Sequence, residues 1–172
     1  MINDNKIAEE HDQWFPTGTP ILDYINSFKE LAEYNKDFKP PFMHKLIEEH
    51  GIEHMFMDHA PELGEMKQCY MNSWQLLSDD KFKDYVYMEG MAASFIPVSH
   101  AWVASPCLQL GVETTWKDFG YDYWGLPLKK DFVMRVMAHT ECYGVLDNMW
   151  MVRDNNKLYD ELVSGDAILK VE

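Results

Sequence analysis

Three side chains of this 172-residue chain could together open or exchange an acyl bond: Cys69, His100 and Glu113, spaced by 31 and 13 residues. A thiolate attacks amide and ester carbonyls well. It needs an imidazole to take and return its proton, and the imidazole needs an acceptor that fixes its tautomer. Cys69 falls in the first or second turn of an apolar helical pattern, and a helix start lowers a thiol pKa through its dipole and unpaired N–H groups. His100 lies in Pro97-Val98-Ser99-His100-Ala101-Trp102-Val103, where alternation puts it on one strand face with Val98 and Trp102. Glu113 lies in Leu110-Gly111-Val112-Glu113-Thr114-Thr115-Trp116, a strand that a short turn at Ser105-Pro106 would set beside His100.

Further residues could serve the same site. Gln68 and the N–H groups of the helix start are candidate oxyanion donors, with Trp102 in support. Glu89-Gly90 belongs to a strand crossing behind the site, where Gly90 allows close backbone approach and Glu89 could reach the helix. Tyr123 and Trp124 stand in an aromatic turn, Tyr121 to Pro127, that would wall a substrate cleft. A rival cluster runs from Glu48 to His59. His50 and His54 would share a helix face at i, i+4, and His59 or Asp58 would complete a zinc or iron set. Against it stand Gly51 between the two histidines and the lack of His-Glu-x-x-His. Each residue also has a plain reading: Cys69 as a buried small hydrophobe, His100 as a core histidine, Glu113 as a solvent-facing strand residue.

The elements that must carry these residues are helices first and strands afterwards. Ile21, Tyr24, Ile25, Phe28 and Leu31 recur at three and four, which predicts a helix capped at Thr19 and ended by Pro40-Pro41. A second helical stretch runs from Phe42 to about Met57, and a third from Glu65 to Leu77 with Met66, Cys69, Tyr70, Ser73, Trp74 and Leu77 on one side. Strands follow at Tyr85 to Ala92, Val98 to Ala104 and Leu108 to Trp116, and their short connections favour antiparallel pairing. Lys129 to Leu146 fits either a helix or a pair of strands, and Lys157 to Val163 reads as helix. The order predicts an α+β fold in one domain of 1–172: a loop or frayed stretch at 1–19, a helical part at 20–64, the catalytic core at 65–116, and completing elements at 117–172.

Composition narrows the function. The formal charge of −14 disfavours a nucleic-acid backbone and an anionic bilayer as partners. No run approaches the roughly 18–20 apolar residues of a membrane span, and the polar start Met1 to Lys6 has no apolar stretch behind it, so a cytoplasmic protein is expected. Three cysteines with no Cys-x-x-Cys suggest neither a disulfide framework nor a zinc ribbon. Twelve methionines read chiefly as adaptable core filler. No phosphate-binding glycine loop and no Gly-x-Ser-x-Gly occurs, so no cofactor and no serine nucleophile is called for.

A helix-borne Cys69, a strand holding Gly90, then His100-Ala101-Trp102, then Glu113-Thr114-Thr115 resembles the transglutaminase-like branch of the papain-like cysteine enzymes over about Glu65 to Trp116. That family orders its triad Cys, His, Asp, with the cysteine at a helix N-terminus and the others on adjacent antiparallel strands. Here Glu113 replaces the Asp, and Thr114 stands where a Pro is usual. The resemblance implies a papain-like core, a protein or peptide-like amide substrate, and resolution of the acyl-enzyme by water or by an amine. Two other classes stay open: a non-catalytic acidic interaction or inhibitor protein on the same fold, and a metal-dependent hydrolase built on His50, His54 and His59.

Overall fold

The computed structural model describes residues 20–170. Helix α1 (Pro20–Tyr34) and α2 (Phe42–His50) come first, then two short strands, β1 (Ile52–Glu53) and β2 (Met57–His59). Helix α3 (Cys69–Leu76) precedes β3 (Val86–Ala93), β4 (Pro97–Ala104), β5 (Gly111–Glu113) and β6 (Asp122–Leu128). The chain closes with α4 (Lys130–Thr140), α5 (Met149–Val152) and α6 (Asn156–Val163). The architecture is therefore mixed, with six helices among the described residues and one sheet of order β1-β6-β3-β4-β5-β2. All its pairings are antiparallel except β2 with β5.

That order forces the sheet to roll. β1 and β2 are its two edges, yet only His54, Met55 and Phe56 separate them in sequence. Laid flat, five strand spacings would hold the edges about 24 Å apart. The chain from Glu53 to Met57 reaches at most about 14 Å. The edges must curl toward each other, and the strap between them is hydrogen-bonded on both sides, His54 N–H to Tyr123 carbonyl at 2.9 Å and Gly111 N–H to Phe56 carbonyl at 2.9 Å.

Alternation then sorts the side chains into two cores. The concave face gathers Val86, Met88, Ala92, Trp102, Ala104 and Tyr123. The convex face carries Tyr87, Met91, Ala101, Val103, Leu126 and Leu128 and packs against the helices through Ile21, Ile25, Leu46, Ile47, Phe132, Val133, Val136 and Leu162. Two glycines allow the tight curl. Gly90 and Gly125 face each other in register. A Cβ at Gly90 would run into the Trp124–Gly125 backbone, and one at Gly125 into the Trp102 indole.

Several expectations need correction. The stretch 20–64 is not all helical, because Gly51 ends α2 with its N–H on the Ile47 carbonyl at 2.7 Å, and extended chain follows. Strands therefore precede α3, and the simple order of helices then strands does not hold. Helix α3 begins at Cys69 rather than Glu65, and β5 keeps only Gly111–Glu113 of its expected length. Tyr121 to Pro127 is no turn: Asp122–Leu128 is the strand that fills the sheet between β1 and β3. The ambiguous Lys129 to Leu146 stretch resolves as helix α4, ended by Glu141 in the left-handed region at φ 57°. Thr19 and the expected loop at 1–19 lie outside the described residues. No helix among the described residues is long and apolar enough to cross a membrane.

Because the backbones at Gly90 and Gly125 touch, the Gly90→Ala variant should lose about 3 kcal/mol of stability, the upper range of overpacking costs. Urea unfolding should show the lower midpoint, while an exposed Gln75→Ala control on α3 should stay within about 0.5 kcal/mol.

Candidate active site

Cys69 opens α3 and is 8% exposed. The chain enters that helix through Lys67 in the left-handed region at φ 68°, an uncommon conformation for a residue with a side chain. Gln68 occupies the cap position without a side-chain cap bond, so the first-turn N–H groups have no intrahelical partner and no cap. With only eight residues, α3 depends on tertiary bonds for its place. Asn72 supplies two of them, donating from Nδ2 to the Glu65 carbonyl and to Thr115 Oγ1, both at 2.8 Å. Ser73 Oγ meets Thr114 Oγ1 at 2.9 Å. Helix α3, which begins at Cys69, is thus pinned to the two residues that follow Glu113.

Glu113 is fully buried, and both its oxygens are saturated. Oε1 accepts the N–H groups of Thr114, Thr115 and Trp116 at 2.9, 2.8 and 3.0 Å. Oε2 accepts the Tyr123 hydroxyl at 2.9 Å and faces His100 Nε2 at 2.9 Å. Burial pushes its pKa up, but the hydrogen bond and charge of His100, with the backbone donors, hold it below the ordinary carboxylate value. The extra methylene of Glu over Asp lets one oxygen fold back onto its own following N–H groups while the other reaches the imidazole.

His100 is 1% exposed on the concave face of β4. Its ring hydrogen-bonds to Glu113 and interacts electrostatically with the Cys69 side chain. Burial pulls the His100 pKa down, yet the interactions with Cys69 and Glu113 outweigh it and lift the pKa to about 9. The imidazolium form is therefore favoured at neutral pH. Trp116 stacks on the ring at 4.2 Å and 25° and shields the His100–Glu113 bond from water.

The structure places the remaining candidates elsewhere. Gln68 is exposed beside the first turn of α3. Trp102 is wholly buried in the concave core with no partner for its indole N–H among the described residues, and it supports by packing. Glu89 and Gly90 are both buried. Glu89 is buried on the convex face, where it accepts the N–H groups of Val145, Leu146 and Asp147. Burial lifts its pKa to about 7 against those backbone donors. Gly90 is pressed against the neighbouring strand. Tyr123 is buried and serves Glu113, and Trp124 packs with the convex core.

The histidines of the rival cluster are dispersed. His50 ends α2, while His54 is buried edge-on to Trp102 at 5.8 Å and His59 stacks on Phe119 at 4.0 Å. Among the described residues no group of three His, Cys, Asp or Glu is placed to hold a metal ion. Gly51, by ending the helix, removed the shared face that the i, i+4 spacing implied.

Sequence reasoning missed Asn72, Ser73, Thr114 and Thr115 as the tie between helix and acid, and Trp116 as the cover of the base. Polar residues spaced at i+3 and i+4 from Cys69 on an otherwise apolar face were the available signal. No family model, curated protein or solved structure matches the chain.

The His100 shift sets a pH dependence. Its pKa is raised from 6.5 on folding, so its contribution to stability is complete below pH 6.5 and is lost as pH rises through about 9. Urea unfolding across that window should show wild-type stability falling with pH, and a flatter slope in His100→Gln. An equal slope in the variant would place the titrating group elsewhere.

Proposed function

We propose that Cys69, His100 and Glu113 are a catalytic triad for acyl transfer or hydrolysis at an amide-type bond, on a core of the papain-like, transglutaminase-like kind. The observation that carries this reading is the His100 ring held between two partners, the Cys69 thiol on one side and the buried, five-donor Glu113 carboxylate on the other. A neutral core histidine would also be satisfied by one acceptor and one donor; what sets this one apart is the identity of its partners. This one joins a helix-start thiol to an anion built to stay charged.

In the proposed reaction the Cys69 proton resides on His100, and Sγ attacks the substrate carbonyl carbon. The oxyanion that forms meets the first-turn N–H groups of α3, with Gln68 within the same turn. His100 then gives its proton to the leaving nitrogen as the C–N bond breaks, leaving a thioester on Cys69. Water or an amine next attacks the thioester carbonyl and passes a proton to His100, and Cys69 leaves as thiolate. Glu113 keeps the imidazole oriented and stabilises its cationic form throughout. A protein or peptide-like amide is the substrate class.

The test must allow for a second thiol. Cys107 is exposed, and its pKa is lowered chiefly by the bond from Ser105 Oγ at 3.4 Å, so it will also alkylate readily. In a Cys107→Ser, Cys142→Ser background, Cys69 should react with iodoacetamide below pH 8. Replacing His100 by Ala should slow that reaction about tenfold or more, because the thiolate loses its imidazolium partner. Glu113→Gln should slow it too, with melting measured beside the rates. A non-catalytic relative of the fold would show the same slow alkylation in all three proteins.

A further inference from the structure

The β3–β4 hairpin ends in a tip whose residues depart from ordinary turn chemistry. Ala93 pairs with Pro97, so Ser94, Phe95 and Ile96 make the turn. Such a turn favours glycine, asparagine or aspartate, which take its backbone angles and meet water. Instead Phe95 is 91% exposed, Ile96 is 68% exposed, and Val98 just below them is 37% exposed. Single apolar residues on a surface are ordinary, but a bulky consecutive pair lifted clear of the sheet marks a surface that something covers. Alternation gives the patch a direction, because Val98 and His100 stand on one face of β4 and the patch continues the concave face past the imidazole.

The start of α1 lies at the same end of the sheet. The Ile21 N–H donates to Asp122 Oδ2 at 2.9 Å, and Asp122 is the register partner of Ala93, the last residue before the tip. Antiparallel partners stand about 5 Å apart, and the two residues from Ala93 to Phe95 add at most about 7 Å, so with the Asp122 side chain the start of α1 is within about 15 Å of the tip. Trp14 and Phe15 precede Pro20 by six and five residues, and an extended chain of that length spans about 17–20 Å. Both can reach. They are also the only Trp, Tyr or Phe residues of 1–19, and a tether this short presents them to the patch at an effective concentration of about millimolar. A nucleic acid or an anionic lipid surface suits neither an uncharged patch nor a chain of formal charge −14.

We propose that Trp14 and Phe15 of this chain dock on the patch of Phe95, Ile96 and Val98, so that the segment ahead of α1 covers the hairpin end of the concave face. The contact does not rest on the triad being catalytic.

A double-mutant cycle by urea unfolding of the full chain tests it. An exposed apolar position that nothing covers takes serine with almost no change in stability. On a covered patch, Ile96→Ser should raise the unfolding equilibrium constant about tenfold, the worth of partly burying one large apolar side chain. Trp14→Ser combined with Phe15→Ser should do the same, and all three replacements together should be about as stable as the less stable parent. Proximity gives the second readout. With the three native cysteines replaced by serine, oxidised glutathione should close a disulfide within the monomer between Phe15→Cys and Ile96→Cys about tenfold faster than between Phe15→Cys and Leu31→Cys. Leu31 is 48% exposed and about 16 Å along α1 from Pro20, so the same tether reaches it. Additive effects in the cycle, an Ile96→Ser variant as stable as the wild type, or equal closure at the two sites overturns the proposal. So does an unfolding midpoint that rises with protein concentration in the wild type and not in Ile96→Ser, which assigns the patch to a second copy of the chain.

Discussion

The buried Glu113 carboxylate is the point from which the rest of the structure is organised. A fully desolvated anion survives only when its charge is answered on every side. Here the answers come from β4 through His100, from β6 through Tyr123, and from the chain just beyond β5 through three successive N–H groups. Because Thr114 and Thr115 are fixed by donating those N–H groups, their hydroxyls are fixed too, and they are what Ser73 and Asn72 of α3 bind. The position of Cys69 is therefore set through the acid. The same carboxylate that orients the imidazole also fixes the helix that brings the thiol to it.

The rolled sheet makes that convergence possible. In a flat sheet of the same order, Tyr123 on β6 and Glu113 on β5 would be separated by β3 and β4, about 14 Å apart. The three-residue strap from β1 to β2 draws those strands together, and the hydroxyl reaches the carboxylate at 2.9 Å. The curl in turn rests on Gly90 and Gly125, since larger residues would keep the backbones and the Trp102 indole from closing up.

The two buried glutamates show how one sheet separates roles by face. Glu113 points to the concave side and is held below its ordinary pKa by a cation and backbone donors. Glu89, on the convex side, has backbone donors and the Tyr87 hydroxyl, with Asp147 adding a like charge, so burial dominates and lifts it to about 7. Glu89 anchors the 145–147 segment to the sheet, and Glu113 anchors His100 and the start of the chain beyond β5.

What the sequence determined by itself was local. The 3.6-residue pattern of Ile21, Ile25 and Phe28 marks α1, alternation marks β3 and β4, and the parity of His100 with Trp102 already puts both on one face. The types and order of Cys69, His100 and Glu113 were legible as chemistry, because a thiol, an imidazole and a carboxylate can be named without coordinates. What only the tertiary structure decided was everything that crosses between elements. Strap 54–56 has no periodicity to announce that it joins two sheet edges, so β1, β2 and the true place of Tyr121 to Leu128 were hidden. His50 and His54 looked adjacent at i, i+4, but that rule holds only inside a continuous helix, and Gly51 ends it. Glu89 and Glu113 are the same residue type in similar strands. Their opposite pKa shifts depend on which face each meets and on donors brought from far along the chain, a property of packing that no local pattern encodes.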